Sequence, residues 1–342
     1  MSGAPESPVE EYLRRDTGVG DEDILEAVVV HVAGADIDPI GLGDVGDLPG
    51  EMQQVGELPL SLVLPDPAFV LRGGENVRQS IDQALAALGP LTAAISRGDK
   101  VLVKPNFNSD DPPPASTDLP FLRAIVEVLL ELGAKVTIGE SSGGVWRPTV
   151  NVFRRLGLYE FARDLGVKLV AFEEKPNEWV RIRIGGDYLH SVAMPRSAYE
   201  ADRLVYLPCL KTHRLARYSG ALKLAFGFVD PGERRAFHFS YREEKLAEIS
   251  LCWQPDLIVM DGRRAFVSGG PQRGEIVEPK LILVSGDLVA VDVEAVRVLL
   301  TYRARNRLIS DPWQLPQIAA AVKHGLGAGK DGHILIASDS PG

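Results

Sequence analysis

Apolar positions along the chain switch between two spacings. Residues 76–88 carry Val77, Ile81, Leu85 and Leu88 at helical intervals. Residues 100–103 form a short apolar run, read as a strand, ending in Lys-Pro-Asn. A second helical pattern runs through Phe121, Ile125, Val128, Leu129 and Leu132, with Ser116 or Thr117 placed to cap it and Gly133 to end it. Residues 134–138 read as the next strand, 150–166 as two short helices broken at Gly157, and 167–172 as a further strand. Residues 179–184 and 188–194 flank Gly185-Gly186 and predict a β-hairpin. Strands are expected at 203–207, 257–260, 281–284 and 333–337. Helices are expected over 219–226, 242–253, 289–300 and 313–324.

Strands alternating with helices define an α/β domain. The expectation is a mostly parallel, open twisted sheet with helices on both faces and the hairpin as an insertion. Ahead of it, residues 1–25 read as a flexible acidic arm and 28–32 as a short strand. Residues 33–70 are rich in Gly, Pro and Asp and lack a steady period, which predicts a long excursion. Residues 26–342 are expected to form one large domain.

Composition narrows the function. Among 342 residues, 37 are Lys or Arg and 47 Asp or Glu, for a net charge of −10. That balance argues against a general nucleic-acid surface, which requires a basic face, but it permits a local basic pocket. With only Cys209 and Cys252, a disulfide framework, a four-Cys zinc site and a self-contained iron–sulfur cluster are excluded. No apolar run approaches the roughly 18 residues a bilayer span needs. The N-terminus lacks a basic start followed by an apolar segment. A cytoplasmic protein without membrane partners is expected, and the arm and excursion would suit contacts in a homo-oligomer.

Chemistry concentrates after the strands, where open α/β sheets bind ligands. Lys104-Pro105-Asn106 follows one strand, and Glu140-Ser141-Ser142-Gly143-Gly144 follows the next. Cys209-Leu210-Lys211-Thr212-His213-Arg214 follows the strand at 203–207. Asp261 and then Gly269-Gly270 come after the strand at 257–260, and Asp287 and Asp292 after the strand at 281–284. Lys104, Lys211 and Lys223, joined by Arg214 and Arg217, would make an anion site within an acidic protein. A helix starting near Gly220 would add N–H donors and a positive dipole end. His213 would move protons or serve as a ligand. Glu140 and Asp261 are candidate bases, ligands or partners of the lysines. Asn106, Ser141 and Thr212 are expected substrate contacts. Gly269 and Gly270 allow close backbone approach or make a turn. His238 sits in an arginine-rich stretch that could form a lid. Cys209 reads as a buried small residue more readily than as a nucleophile, and Cys252 as core.

The segments VLVKPNFN, ELGAKVTIGESSGG, YLPCLKTHRLARYSGALKLAFGFV, PDLIVMDGRRAFVSGGPQRG and GDLVAVDVEAVRVLL occur in that order. Together they resemble the DUF362 family over about residues 95–300. Leu-Lys-Thr-His followed by Gly-Ala-Leu-Lys is the most specific part. Many members of that family carry ferredoxin-like cysteine motifs for [4Fe-4S] clusters. This chain departs from them, so no intrinsic cluster is expected, and a redox role does not carry over with the resemblance. The family pattern usually has Lys or an apolar residue where Cys209 stands.

Three function classes follow. The leading one is an enzyme acting on a small anionic metabolite, a carboxylate or phosphate, by isomerisation, elimination or rearrangement. In it Lys104, Lys211 and Lys223 hold the anion and His213 transfers a proton with Glu140 or Asp261. A divalent metal on His213 and carboxylates could assist, although no two-His spacing supports one. The second class is an oxidoreductase, or a partner of one, that borrows a flavin, metal or external carrier. The third is a non-catalytic metabolite-binding protein.

Overall fold

The structure, a computed structural model, describes residues 68–87, 95–143, 147–174, 179–238, 240–330 and 333–337. The expected arm, the strand at 28–32, most of the excursion and the side chain of His238 lie outside these residues.

The main sheet is built from β1 (Ala68–Gly73), β2 (Lys100–Lys104), β3 (Lys135–Glu140), β4 (Lys168–Ala171), β7 (Arg203–Tyr206), β10 (Leu257–Gly269), β12 (Leu281–Ser285) and β13 (His333–Ala337). Their order is β13-β1-β12-β10-β7-β2-β3-β4. Along this path only β12 runs against its neighbours. Three shorter strands hang from the same sheet: β8 (Cys209–His213) beside β10, β9 (Arg217–Ser219) beside β8, and β11 (Gly274–Val277) beside β10. The predicted hairpin forms as a separate pair, β5 (Trp179–Arg183) and β6 (Ser191–Pro195).

Helices cover both faces, as the amphipathic patterns require. On one face, α1 (Val77–Ala87), α2 (Leu119–Glu131), α3 (Thr149–Leu156) and α4 (Leu158–Leu165) bury Ile81, Phe121, Ile125, Phe153 and Phe161 against Val101, Val103, Val136 and Val205. Gly157, between α3 and α4, has φ 70°, the left-handed conformation that lets one helix end and the next begin. On the other face lie the hairpin, α5 (Arg196–Tyr199), α6 (Ala221–Leu224), α7 (Arg242–Glu248), α8 (Leu288–Leu300) and α9 (Pro316–Lys323). Their apolar residues meet Leu102, Leu204, Tyr206 and Ile258.

Several elements differ from the sequence reading. Residues 68–70, expected within the excursion, belong to β1, which is held between β12 and β13. Residues 209–213, expected as a strand-end loop, form β8 and are wholly buried. β10 continues nine residues past the predicted end at 260, because β8 and then β11 supply pairing partners. Neither Ser116 nor Thr117 caps α2. Ser116 Oγ donates to the Ser109 carbonyl, and Thr117 Oγ1 accepts from Asn106 N–H, so Asp118 stands at the cap position. The helix expected over 242–253 ends at Glu248 and continues only as a short 3₁₀ turn, Ile249–Leu251.

The topology brings the carboxyl ends of β2, β3 and β7 together. From β2 the chain moves outward to β3 and β4, then returns to place β7 on the opposite side of β2. The order therefore reverses at β2 and β7, and a crevice opens at the carboxyl ends of strands at such a switch point. Lys104 ends β2, Glu140 ends β3, and β7 leads through Leu207-Pro208 into β8.

Candidate functional site

At the end of β2, Lys104 is buried against Glu140, with Nζ donating to Glu140 Oε1 at 2.5 Å and to the Pro105 carbonyl at 2.8 Å. Phe107 N–H donates to Glu140 Oε2 at 2.7 Å, and Ser141 N–H to Oε1 at 2.8 Å. Both oxygens of Glu140 are thus engaged, so the residue fixes Lys104 and the loop after β2. Burial pulls the Lys104 pKa down, and Glu140 opposes that pull. A Cβ at Gly227 would lie 2.6 Å from Lys104 Cε and 2.7 Å from its Nζ, so only glycine lets the backbone approach this pair.

Alternation along β8 puts Cys209, Lys211 and His213 on one face and Leu210 and Thr212 on the other. Lys211 is buried and donates from Nζ to the Ala115 carbonyl; burial lowers its pKa. His213 Nδ1 accepts from the backbone N–H groups of Leu215 and Ala216, both at 3.1 Å. That pattern assigns the imidazole proton to Nε2, leaving it as the nitrogen open to a ligand. Burial first, then the charges of Lys223, Lys211, Arg214 and Arg242, bring the His213 pKa down to about 2. The ring is neutral at any physiological pH.

Lys223, on α6, is the exception among these cations. Among the described residues its Nζ has no hydrogen-bond or ion-pair partner, and its neighbour is the Phe226 ring, 5.9 Å to the centroid. It is partly buried. Burial, followed by the charges of Lys211, Arg234 and Lys104, lowers its pKa to about 7.

Arg234 completes the cluster and was not singled out by sequence. It is buried and donates Nε–H to the Val229 carbonyl at 3.0 Å. Its terminal nitrogens donate to the carbonyls of Ser142, Ser141 (3.1 Å) and Gly227 (3.3 Å). Burial lowers its pKa, with Glu140 the largest opposing charge. In the sequence it stands beside the exposed Arg235 in an arginine-rich run, and no local pattern separates the two.

The first two N–H groups of α6 are already taken, contrary to expectation. Asp292, buried on α8, accepts from Ala221 N–H at 2.6 Å, Leu222 N–H at 3.2 Å and the Tyr218 hydroxyl at 3.1 Å. The protein's own carboxylate occupies the place assigned to a ligand anion. Burial raises the Asp292 pKa to about 7.

Lys104, Glu140, Ser141, Lys211, His213, Lys223 and Arg234 thus share one neighbourhood. Ser141 Oγ is buried there without a hydrogen-bond partner. Asn106 and Thr117 turn their side chains to the Cys209 thiol, whose pKa burial pushes up to about 11. Thr212 faces away from Lys211, with Oγ1 buried and unpartnered. Arg214 is exposed in the turn after β8. Arg217 pairs with Glu243 at 2.9 Å. Asp261 lies within β10 and pairs with Arg263 at 2.8 Å; Arg263 also reaches Asp118 at 2.8 Å. Gly269 and Gly270, with φ 73° and 70°, turn β10 into β11, and a Cβ at Gly270 would overlap the Thr212 carbonyl.

Away from the cluster, Asp187, Glu248 and His324 lie within metal-ligand spacing of one another. His324 Nε2 is 3.5 Å from both carboxylates. Glu248, however, already accepts the N–H groups of Asp187, Tyr188 and Leu189, and Lys323 sits 2.5 Å from Asp187. The trio clasps the hairpin loop to α7 and α9.

Fold and side chains together define an α/β protein with a cluster of buried cations at the switch point of a mostly parallel sheet. The family model described as Domain of unknown function (DUF362) matches residues 101–297, and the chain belongs to that family. The thylakoid-associated protein sll1697 of Synechocystis sp. is 27% identical over 256 residues, 72% of this chain and 74% of that protein. The lactate racemase apoprotein from Thermoanaerobacterium thermosaccharolyticum aligns over 82% of this chain and 85% of its own, at 14% identity and a TM-score of 0.39. Among the described residues, no helix is long and apolar enough to cross a membrane.

Proposed function

We propose that the protein is an enzyme acting on a small anionic metabolite, a carboxylate or phosphate. The observation that carries this reading is the imbalance of charge in the crevice. Among the described residues, Glu140 is the one carboxylate ion-paired to Lys104, Lys211, Lys223 or Arg234, with Asp111, Glu173 and Asp230 acting on Lys211 or Arg234 from further off, and Lys223 has no anionic partner. Gathering cations away from water is costly unless an anion joins them. In this reading Lys211, Lys223 and Arg234 hold the anion, and Glu140 positions Lys104 through their ion pair. Neutral His213 donates from Nε2 to a substrate oxygen on which charge develops, a role that suits a histidine kept from protonating. Lys223 is the group that gains and loses a proton near neutrality. Isomerisation, elimination or rearrangement through a carbanion-like intermediate would use these parts. We place the protein in the cytoplasm, which fractionation of cells into membrane and supernatant tests.

Calorimetry with sulfate, phosphate and lactate tests the anion site. Lys211→Met and Lys223→Met should each weaken binding by about tenfold or more, as expected for charge-assisted contacts. Unchanged affinity in both refutes the site. Catalysis is tested by incubating the protein with small carboxylates in deuterated water and following carbon-bound hydrogen by NMR. Enzyme-dependent exchange supports a carbanion route, and binding without any turnover points to a binding protein.

A further inference from the structure

We propose that Lys223 is a covalent nucleophile whose Nζ condenses with the carbonyl carbon of a small oxo acid to form an imine. This rests on the anion-site reading and narrows its substrate to carboxylates that also carry a ketone.

The geometry separates Lys223 from the other cations. Lys104 is tied to Glu140 and the Pro105 carbonyl, Lys211 to the Ala115 carbonyl, and Arg234 to the carbonyls of Val229, Ser141, Ser142 and Gly227. Those groups are restrained. Among the described residues Lys223 has no such tether, and it is partly accessible. Its backbone is nevertheless anchored on both sides. Asp292 holds the N–H groups of Ala221 and Leu222, and Gly227 is pressed against the Lys104 side chain. A short anchored segment presenting a free amine among fixed cations is the arrangement covalent amine catalysis needs.

The electrostatics supply the reactive form. An amine attacks a carbonyl only when unprotonated, and neighbouring cations are an established means of producing that form near neutrality. Burial first, and then Lys211 on β8, Arg234 after α6 and Lys104 on β2, oppose protonation of Lys223 and bring it to about 7. Among the described residues, no carboxylate acts in the other direction. The fixed cations would receive the carboxylate of the oxo acid, and neutral His213 has an N–H to offer the carbonyl oxygen.

The step balances without an oxidant. The amine lone pair forms the C–N bond, and the carbonyl π electrons move to oxygen. That oxygen then leaves as water with the two hydrogens of the amine. Uptake of one further proton from solvent gives the iminium, which draws electrons from the adjacent carbon and acidifies its C–H bond.

The test is reductive trapping on the full-length protein. Pyruvate or acetoacetate is added at millimolar concentration, followed by borohydride, with intact-mass analysis and peptide mapping. The expected result is a single adduct on Lys223, heavier by the oxo acid less one oxygen atom. It should be absent without borohydride, suppressed by excess lactate, and lost in Lys223→Arg, which keeps a cation in place. Circular dichroism verifies that this variant is folded. No adduct with either acid, an adduct on another lysine, or one that survives in Lys223→Arg overturns the proposal. Calorimetry with lactate and sulfate is run in parallel. Binding of these anions without an adduct overturns the imine alone, whereas absence of both overturns the anion site as well.

Discussion

Binding of a simple anion should draw a proton from solvent, and the amount follows from Lys223. With a pKa of about 7, its amine is half protonated at neutrality. At pH 8 about nine-tenths of the molecules carry it neutral, and at pH 6 about one-tenth. An anion seated against it returns the pKa toward the ordinary lysine value of 10.5. Binding at pH 8 then consumes about 0.9 proton and binding at pH 6 about 0.1. Affinity should be nearly flat below pH 7 and fall by about tenfold per unit above it. Lactate and sulfate suit the experiment because neither titrates in this range. Calorimetry in buffers of different ionisation enthalpy reads the proton count directly. His213 does not contribute, since its pKa of about 2 lies far below the window. Asp292, near 7, also titrates there. Lys223→Met separates the two by removing only the lysine's share. Uptake near zero at pH 8, or uptake unchanged in Lys223→Met, would refute the electrostatic account of the site.

Four further outcomes are expected. Glu140→Gln strands buried Lys104 and should cost about 3–5 kcal/mol in urea unfolding, whereas Lys104→Met combined with Glu140→Leu should recover part of that loss. Gly227→Ala places a methyl against the Lys104–Glu140 pair; about 1–3 kcal/mol of destabilisation and weaker lactate binding are expected, and a neutral result would contradict the close approach. For Asp292 the folded pKa is raised above its ordinary value, so its contribution is most favourable below about pH 4 and is lost as pH rises to about 7; Asp292→Asn should flatten that slope in thermal melts between pH 5 and 8. Arg234→Met releases the carbonyls of Ser141 and Ser142, and calorimetry should show at least a tenfold loss in anion affinity, with faster amide exchange after β3.

Much of the architecture was readable because it rests on local signals. The strand and helix periods, the Gly157 break and the Gly185-Gly186 hairpin all come from neighbouring residues. β1 escaped because its apolar run follows a Gly- and Pro-rich stretch that lacks a steady period. β8 escaped because Lys211 and His213 look like loop chemistry, although their alternation with Leu210 and Thr212 is that of a strand. At the site, the lysines and His213 were visible as polar groups after strands. Arg234 was not, since its role depends on carbonyls some 90 residues earlier in the chain. The capping of α6 by Asp292 was equally hidden, because it joins residues 70 or 71 positions apart. Such partnerships are written in tertiary packing rather than in spacing.

The two glycines on either side of Lys223 carry a consequence for the history of the family. A side chain at Gly220 would collide with the Asp292 carboxylate, and one at Gly227 with Lys104 and Glu140. Each glycine is therefore tied to a distant acidic or basic residue, and the two members of each pair can change only together. In related genomes, a chain with a larger residue at the position of Gly227 should also have lost the Lys104–Glu140 pair, and one altered at Gly220 should lack Asp292. Lineages that keep both glycines but have replaced Lys223 would have kept the scaffold without the amine.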